Sequence, residues 1–261
     1  MDVTARFAEA VQRPEASVPL DDVSFLVAAH AYVDLDVDRW LARLDDIAAD
    51  CHAPTLDALV DHLFIDMRYT GNRTDYYDPR NSYLNDVIER RTGIPITLSI
   101  LTMEIGRRLG VPLSGVSMPG HFLLHDRVDQ DLFVDAYAGG ARLDLGGVRA
   151  RFHALHGEDT PWDDAFLAPA GAHAIAARLL ANLKAIFRTQ RDQVNLTWVL
   201  RLRGLVPGVP IEERRELASV LAADGKFGQA AGELEDAAET AGEPTAAEFR
   251  AAAVRLRARL N

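Results

Sequence analysis

The sequence predicts an α+β fold, with a central helix packed on a small antiparallel sheet and helices before and after it. Three observations predict it. Apolar residues recur at helical spacing through residues 1–70 and again through 171–261. The segment PITLSILTMEIGRRLG (95–110) is apolar on most faces, the mark of a buried helix. Between 111 and 147 the pattern shortens to alternating runs broken by Gly, Pro and Asp, as strands require. The expected parts are therefore a helical region 1–70, a mixed core 71–170 and a helical region 171–261.

Each element follows from its residues. LDDVSFLVAAHAY (20–32) starts with acidic residues suited to a helix N-terminus. DVDRWLARLDDIAAD (36–50) spaces Trp40, Leu41, Leu44 and Ile47 along one face, and APTLDALVDHLFIDM (53–67) does so with Leu56, Leu59, Val60, Leu63 and Phe64. RYTGNRTDYYDPRNS (68–82) has loop composition, and Asn81 or Ser82 is expected to cap a helix over 82–91. In the central helix Pro95 suits the first position and Gly110 the left-handed residue after the last turn. VPLSGVSM (111–118), PGHFLLHDRVDQDLFVDAYAGG (119–140) and ARLDLGG (141–147) read as strands. Helices are expected at 172–190, 195–206, 211–225, 226–242 and 244–260, separated by short polar or Gly/Pro breaks.

The segment 119–140 carries the chemistry. Read as a hairpin turning at Val128, it sets His121 opposite Asp135 and His125 opposite Asp131. Phe122, Leu124, Leu132, Val134 and Ala136 then form a core face, while His121, Leu123, His125, Phe133, Asp135 and Tyr137 share the other. A carboxylate beside an imidazole fixes the ring's tautomer and stabilises its charged form, which serves a nearby thiol or hydroxyl. The favoured place for a thiolate is the N-terminus of a buried helix. Here that place holds Gly93, Ile94, Pro95, Ile96 and Thr97, with no cysteine.

Composition excludes other classes. The 261 residues carry 28 basic and 39 acidic side chains, a formal charge of −11, which argues against nucleic acid or anionic membrane as the main partner. The single cysteine, Cys51, excludes an internal disulfide framework and a cysteine-based zinc cluster. No stretch approaches the roughly 20 apolar residues of a membrane span, and the charged N-terminus is unlike a secretory signal, so a cytoplasmic location is expected. His121 and His125 lack a convergent third ligand, so neither a metal nor a cofactor is expected.

The run of a buried helix, Gly-Val-Pro, a strand with GHF and a strand with VDAY resembles the transglutaminase-like superfamily. Through DYYDPRNS, GIPITLS and MPGHFLL it resembles, more narrowly, the SirB type of bacterial transglutaminase-like protein. The resemblance is densest over 70–140. It implies a papain-like core with Cys, His and Asp in chain order. His121 and Asp135 match the last two, and the cysteine position falls at or next to Pro95. Loss of the thiol removes the superfamily's nucleophile, and Pro95 also removes a backbone N–H. The resemblance also implies a tetratricopeptide-like C-terminal region, and GKFGQAAGELEDAAE is similar to such a helix pair, although the full signature is absent.

Two readings of these residues stand. His121 and Asp135 are either a cross-strand pair that stabilises the hairpin or part of a cleft that also includes Asn81, Pro95, Thr97, Ser99 and Tyr137. Thr97 and Ser99 are the nearest hydroxyls to the missing thiol, with bonding to the carbonyl four residues back as their structural role. The expected function is non-catalytic binding of a protein or peptide, using the cleft and the helical region. The alternative is an amide hydrolase or acyl transferase with a hydroxyl or water nucleophile.

Overall fold

The computed structural model describes residues 2–260. Helices α1 (Val3–Val11), α2 (Leu20–Ala31), α3 (Val37–Ala49) and α4 (Leu56–Asp61) lead the chain. The Asp36 and Thr55 side chains cap α3 and α4 by accepting from the Arg39 and Ala58 N–H groups. The predicted helix over 53–67 is in fact α4 followed by a single π turn, His62–Asp66, where the hydrogen bonding widens. The loop expected over 68–82 contains a two-residue strand, β1 (Thr70–Gly71), and a 3₁₀ turn at Pro79–Asn81.

Next come α5 (Leu84–Arg90), β2 (Thr92–Gly93), which pairs parallel with β1, and the central α6 (Pro95–Leu109). Pro95 opens α6 and Gly110 closes it with φ +75, both as the sequence predicts. The cap expected for α5 is corrected. Tyr83 occupies that position with no side-chain cap, because the Asn81 amide is committed elsewhere.

The sheet has the order β6-β5-β4-β3-β7, formed by β3 (Leu113–Val116), β4 (Leu123–Asp126), β5 (Phe133–Asp135), β6 (Ala141–Leu143) and β7 (Pro169–Ala170), with every neighbour antiparallel. The β4–β5 register differs from the sequence expectation. Leu124 faces Val134 and His125 faces Phe133, so the turn centres one residue later than Val128. Asp126 and Asp129 accept from the Val128 and Asp131 N–H groups and set that turn. The change in pairing is two residues, so each side chain keeps its predicted face. His125 consequently stacks on Phe133 at 4.5 Å and bonds the Gln130 carbonyl instead of pairing with Asp131.

Helix α7 (Leu145–His156) replaces the end of the strand expected over 141–147. The predicted core face joins the main apolar cluster, in which Phe122, Leu124, Val134 and Ala136 share the interior with Ile96, Leu98 and Ile105 of α6. The other face is also covered: Leu123 and Phe133 pack with Val116, Met118, Val148 and Phe152 in a second cluster. α8 (Ala172–Gln190), α9 (Gln193–Arg203), α10 (Glu212–Ala223), α11 (Phe227–Thr240) and α12 (Thr245–Arg257) complete the chain, with α8 to α12 each packed on the next. Ala230, Ala231, Ala237, Ala238, Ala246 and Ala253 are buried, so the interfaces of α11 and α12 are made largely by small side chains. Among the described residues no helix is long and apolar enough to cross a membrane.

Candidate functional site

The site begins at a tight turn. Gly120 has φ +70, a conformation that favours glycine, and it delivers His121 just ahead of β4. Helices hold this turn from two sides. Arg178 of α8 donates to the carbonyls of Met118 at 3.1 Å and His121 at 2.8 Å, and the His156 ring of α7 bonds the Pro119 carbonyl at 3.0 Å.

Asp135 ends β5 and is fully buried, and His121 is 5% exposed. His121 Nε2 lies 3.0 Å from Asp135 Oδ1, so the two side chains meet although Leu123, and not His121, lies opposite Asp135 by extension of the register. The contact is close but poorly aligned: Nε2 and Oδ2 are buried without a well-directed hydrogen bond. Oδ1 also accepts from the Ala138 N–H at 3.0 Å, capping the turn Ala136–Ala138, and Oδ2 sits 3.1 Å from the Arg151 guanidinium of α7. Burial alone would push the Asp135 carboxyl up. His121, Arg151 and the Ala138 N–H outweigh it and hold the group below the usual carboxylate range.

Tyr137 stands edge-on to the His121 ring at 6.0 Å, with Tyr76 edge-on to Tyr137 at 6.3 Å. Its hydroxyl donates to the Asn72 carbonyl at 2.8 Å, and the Asn72 amide donates to Asn81 Oδ1 at 3.0 Å. Asn81 Nδ2 donates in turn to the Asp75 and Tyr76 carbonyls. The Thr97 hydroxyl donates to the Asn81 carbonyl at 2.7 Å and accepts from the Ile94 N–H at 3.1 Å. This chain of bonds ties His121's neighbour Tyr137 to the first turn of α6. It depends on Gly71, where a Cβ would lie 2.4 Å from the Tyr137 ring.

Of the residues named from sequence, the structure brings His121, Asp135 and Tyr137 together and links Asn81 and Thr97 to them through Asn72. Pro95 is buried at the start of α6, whose apolar residues share a cluster with Tyr137, the ring that stands edge-on to His121. Thr97 is engaged as a cap on both sides. Ser99 is buried, and its hydroxyl has no hydrogen-bond partner, so the expected bond to the Pro95 carbonyl is not made. Thr102, one helical turn beyond Leu98, does make the corresponding bond. Cys51 follows α3, and its thiol donates to the Ala53 carbonyl. Sequence reasoning missed Asn72, Arg151, His156 and Arg178. The arginines follow unremarkable helical patterns, and Arg178 lies 57 residues from the His121 carbonyl that it holds. Among the described residues no group of three His, Cys, Asp or Glu is arranged to hold a metal.

A buried helix, a five-stranded sheet and a His–Asp pair at the sheet's end describe a transglutaminase-like protein. The transglutaminase-like superfamily profile matches residues 29–181, and the chain belongs to that superfamily. It is 37% identical over 215 residues to a UPF0162 protein of Xylella fastidiosa, a match spanning 75% of each chain. It is 39% identical over 109 residues to a UPF0162 protein of Pseudomonas aeruginosa, spanning 41% of this chain and 39% of that one. A shorter match, 40% identical over 103 residues, is to F-box only protein 21 of Homo sapiens and spans 36% of this chain and 16% of that one. No solved structure matches significantly.

Proposed function

We propose that this chain is a transglutaminase-like protein of the SirB type that lacks the thiol nucleophile and binds a protein or peptide. The observation that carries the reading is the start of α6. The position that the resemblance gives to cysteine falls at or next to Pro95, where there is no thiol, and the nearby Thr97 hydroxyl is spent on capping. The sole thiol, Cys51, is bonded at the end of α3. The retained pair is tied down by Arg151, by the Ala138 N–H and, through the turn, by Arg178. In this reading it shapes a recognition surface bordered by Tyr76 and Tyr137. The helices α8–α12 act as a tetratricopeptide-like binding region. Recurrence of the segment within the F-box only protein 21 chains, where it makes up 16–17% of the length, supports a role as a module. The protein is proposed to act in the cytoplasm.

The test is capture of a partner on the immobilised protein, identified by mass spectrometry and then remade as a purified polypeptide. His121→Ala and Asp135→Ala should weaken its binding while leaving circular dichroism unchanged. Equal binding by both folded variants rejects a role for the site.

One observation favours a second reading. Ser99 lies one turn beyond Pro95 with an unpartnered hydroxyl, the arrangement a serine nucleophile would need if His121 reached it. A fluorophosphonate probe distinguishes the readings. Stoichiometric labelling of Ser99 that disappears in His121→Ala favours an acyl transferase or hydrolase.

A further inference from the structure

A cavity of about 510 Å³ lies away from His121 and Asp135, lined by α3, Met67, Tyr69 and the end of α5. That volume suits a small molecule. Trp40, Met67, Tyr69 and Ile88 supply aromatic and apolar wall, and Arg39, Arg43 and Arg91 bring three guanidinium groups to it. Arg39 and Arg43 are four residues apart on α3 and so share a face. Their carboxylate company is thin. Asp46 approaches Arg43 only to 3.8 Å, and among the described residues no carboxylate comes within 4.0 Å of the Arg39 or Arg91 guanidinium. Glu89 is the other acidic group in the lining. The lining thus sets three arginines against two acidic residues, a local excess of positive charge in a chain of formal charge −11.

Two further facts tie the arginines to the cavity. Arg91 follows α5 in a left-handed conformation, φ +53, where glycine is the unstrained choice. A side chain there costs about 1 kcal/mol in backbone energy, so the strain is retained at a residue that faces the cavity. The Tyr69 phenol, pushed up to about 12 by burial, feels the charges of Arg43 and Arg91 pulling the other way, and all three residues line the cavity.

We propose that this cavity binds a small organic anion with a flat apolar body, held by Arg39, Arg43 and Arg91 and packed against Trp40. Guanidinium forks take carboxylate and phosphate oxygens in pairs, and the aromatic wall receives the planar remainder. The site is independent of the His121–Asp135 pair.

The experiment titrates phenyl phosphate, benzoate, inorganic phosphate and phenol into the full chain by calorimetry. Phenyl phosphate or benzoate should bind saturably and better than inorganic phosphate or phenol, and the better of the two names the anionic group. Added salt should weaken that binding. Arg43→Ala should weaken it by about tenfold or more, the loss of a charge-assisted bond. Arg91→Gly should weaken it similarly while leaving the thermal midpoint unchanged or higher, because glycine relieves the strain. That variant therefore separates lost binding from lost folding. His121→Ala should bind as the parent does. Saturable binding of neither aryl anion, equal binding of phenol, or undiminished binding by Arg43→Ala and Arg91→Gly overturns the proposal.

Discussion

Replacing Asp135 with asparagine removes a charge from the most buried point of the site while keeping the side chain's size. Oδ1 still accepts from the Ala138 N–H, so the cap on the turn survives. What is lost is the attraction of a fully buried carboxylate for His121 at 3.0 Å and Arg151 at 3.1 Å. Taking one partner from a buried pair costs roughly 3–5 kcal/mol when the remaining charge is stranded. Arg151 is not stranded. Its side chain is 36% exposed, so water takes over part of its solvation and its contribution is discounted. We expect a net loss of about 2–3 kcal/mol, or a fall of roughly 4–12 °C in the thermal midpoint of a chain this size. Urea unfolding followed by circular dichroism measures it. The sign of the pH dependence follows from the depressed Asp135 carboxyl. The stabilisation is fully present above the ordinary value of 3.8 and is lost as pH falls through the lower, folded value. The gap between parent and Asp135→Asn should therefore close in acid below about pH 4. A gap under about 0.5 kcal/mol at neutral pH, or one that persists unchanged in acid, refutes the electrostatic account of this pair.

Glu104 tests a second buried cluster. Burial, with Asp21 close by, lifts its carboxyl to about 7 against the pull of Arg107, so the folded state holds a proton that the unfolded state releases. Stability should fall as pH rises from about 4.5 to about 7, and Glu104→Gln should flatten that slope in unfolding measured across the range. Gly71→Ala forces a methyl group against the Tyr137 ring and carbonyl, and should cost about 1–3 kcal/mol by urea unfolding. Ser99→Ala deletes a buried hydroxyl that has no partner, so stability should be unchanged or rise by up to about 1 kcal/mol. A large loss would mean that Ser99 is bonded in solution.

The helical parts were legible because their apolar spacing is regular and their ends carry chemistry, as Pro95 and Gly110 show for α6. Strand faces were legible by parity, which survived an error of register: Phe122 and Val134 are core, and His121 and Asp135 meet. The register itself was not legible, since Asp126 and Asp129 each set a local turn and the alternation of apolar residues fits either pairing. Helix α7 was hidden by Gly146 and Gly147, which are poor in a helix interior but stand in its first turn, where Asp144 caps it. Missing α7 meant missing Arg151 and the cover over Leu123 and Phe133. Asn81 reads as a cap by type, yet its amide serves a folded loop, and only the three-dimensional path from Tyr137 through Asn72 to Thr97 gives it a place in the site.

Intact-mass analysis after exposure to hydroxyl- and thiol-directed acylating probes, with parent and His121→Ala side by side, asks most directly whether the His–Asp pair still serves a nucleophile. A protein without one should give no adduct that depends on His121, at Ser99, Thr97 or Cys51. A stoichiometric adduct at any of these that vanishes with the imidazole would contradict the loss of the nucleophile and favour the enzyme reading.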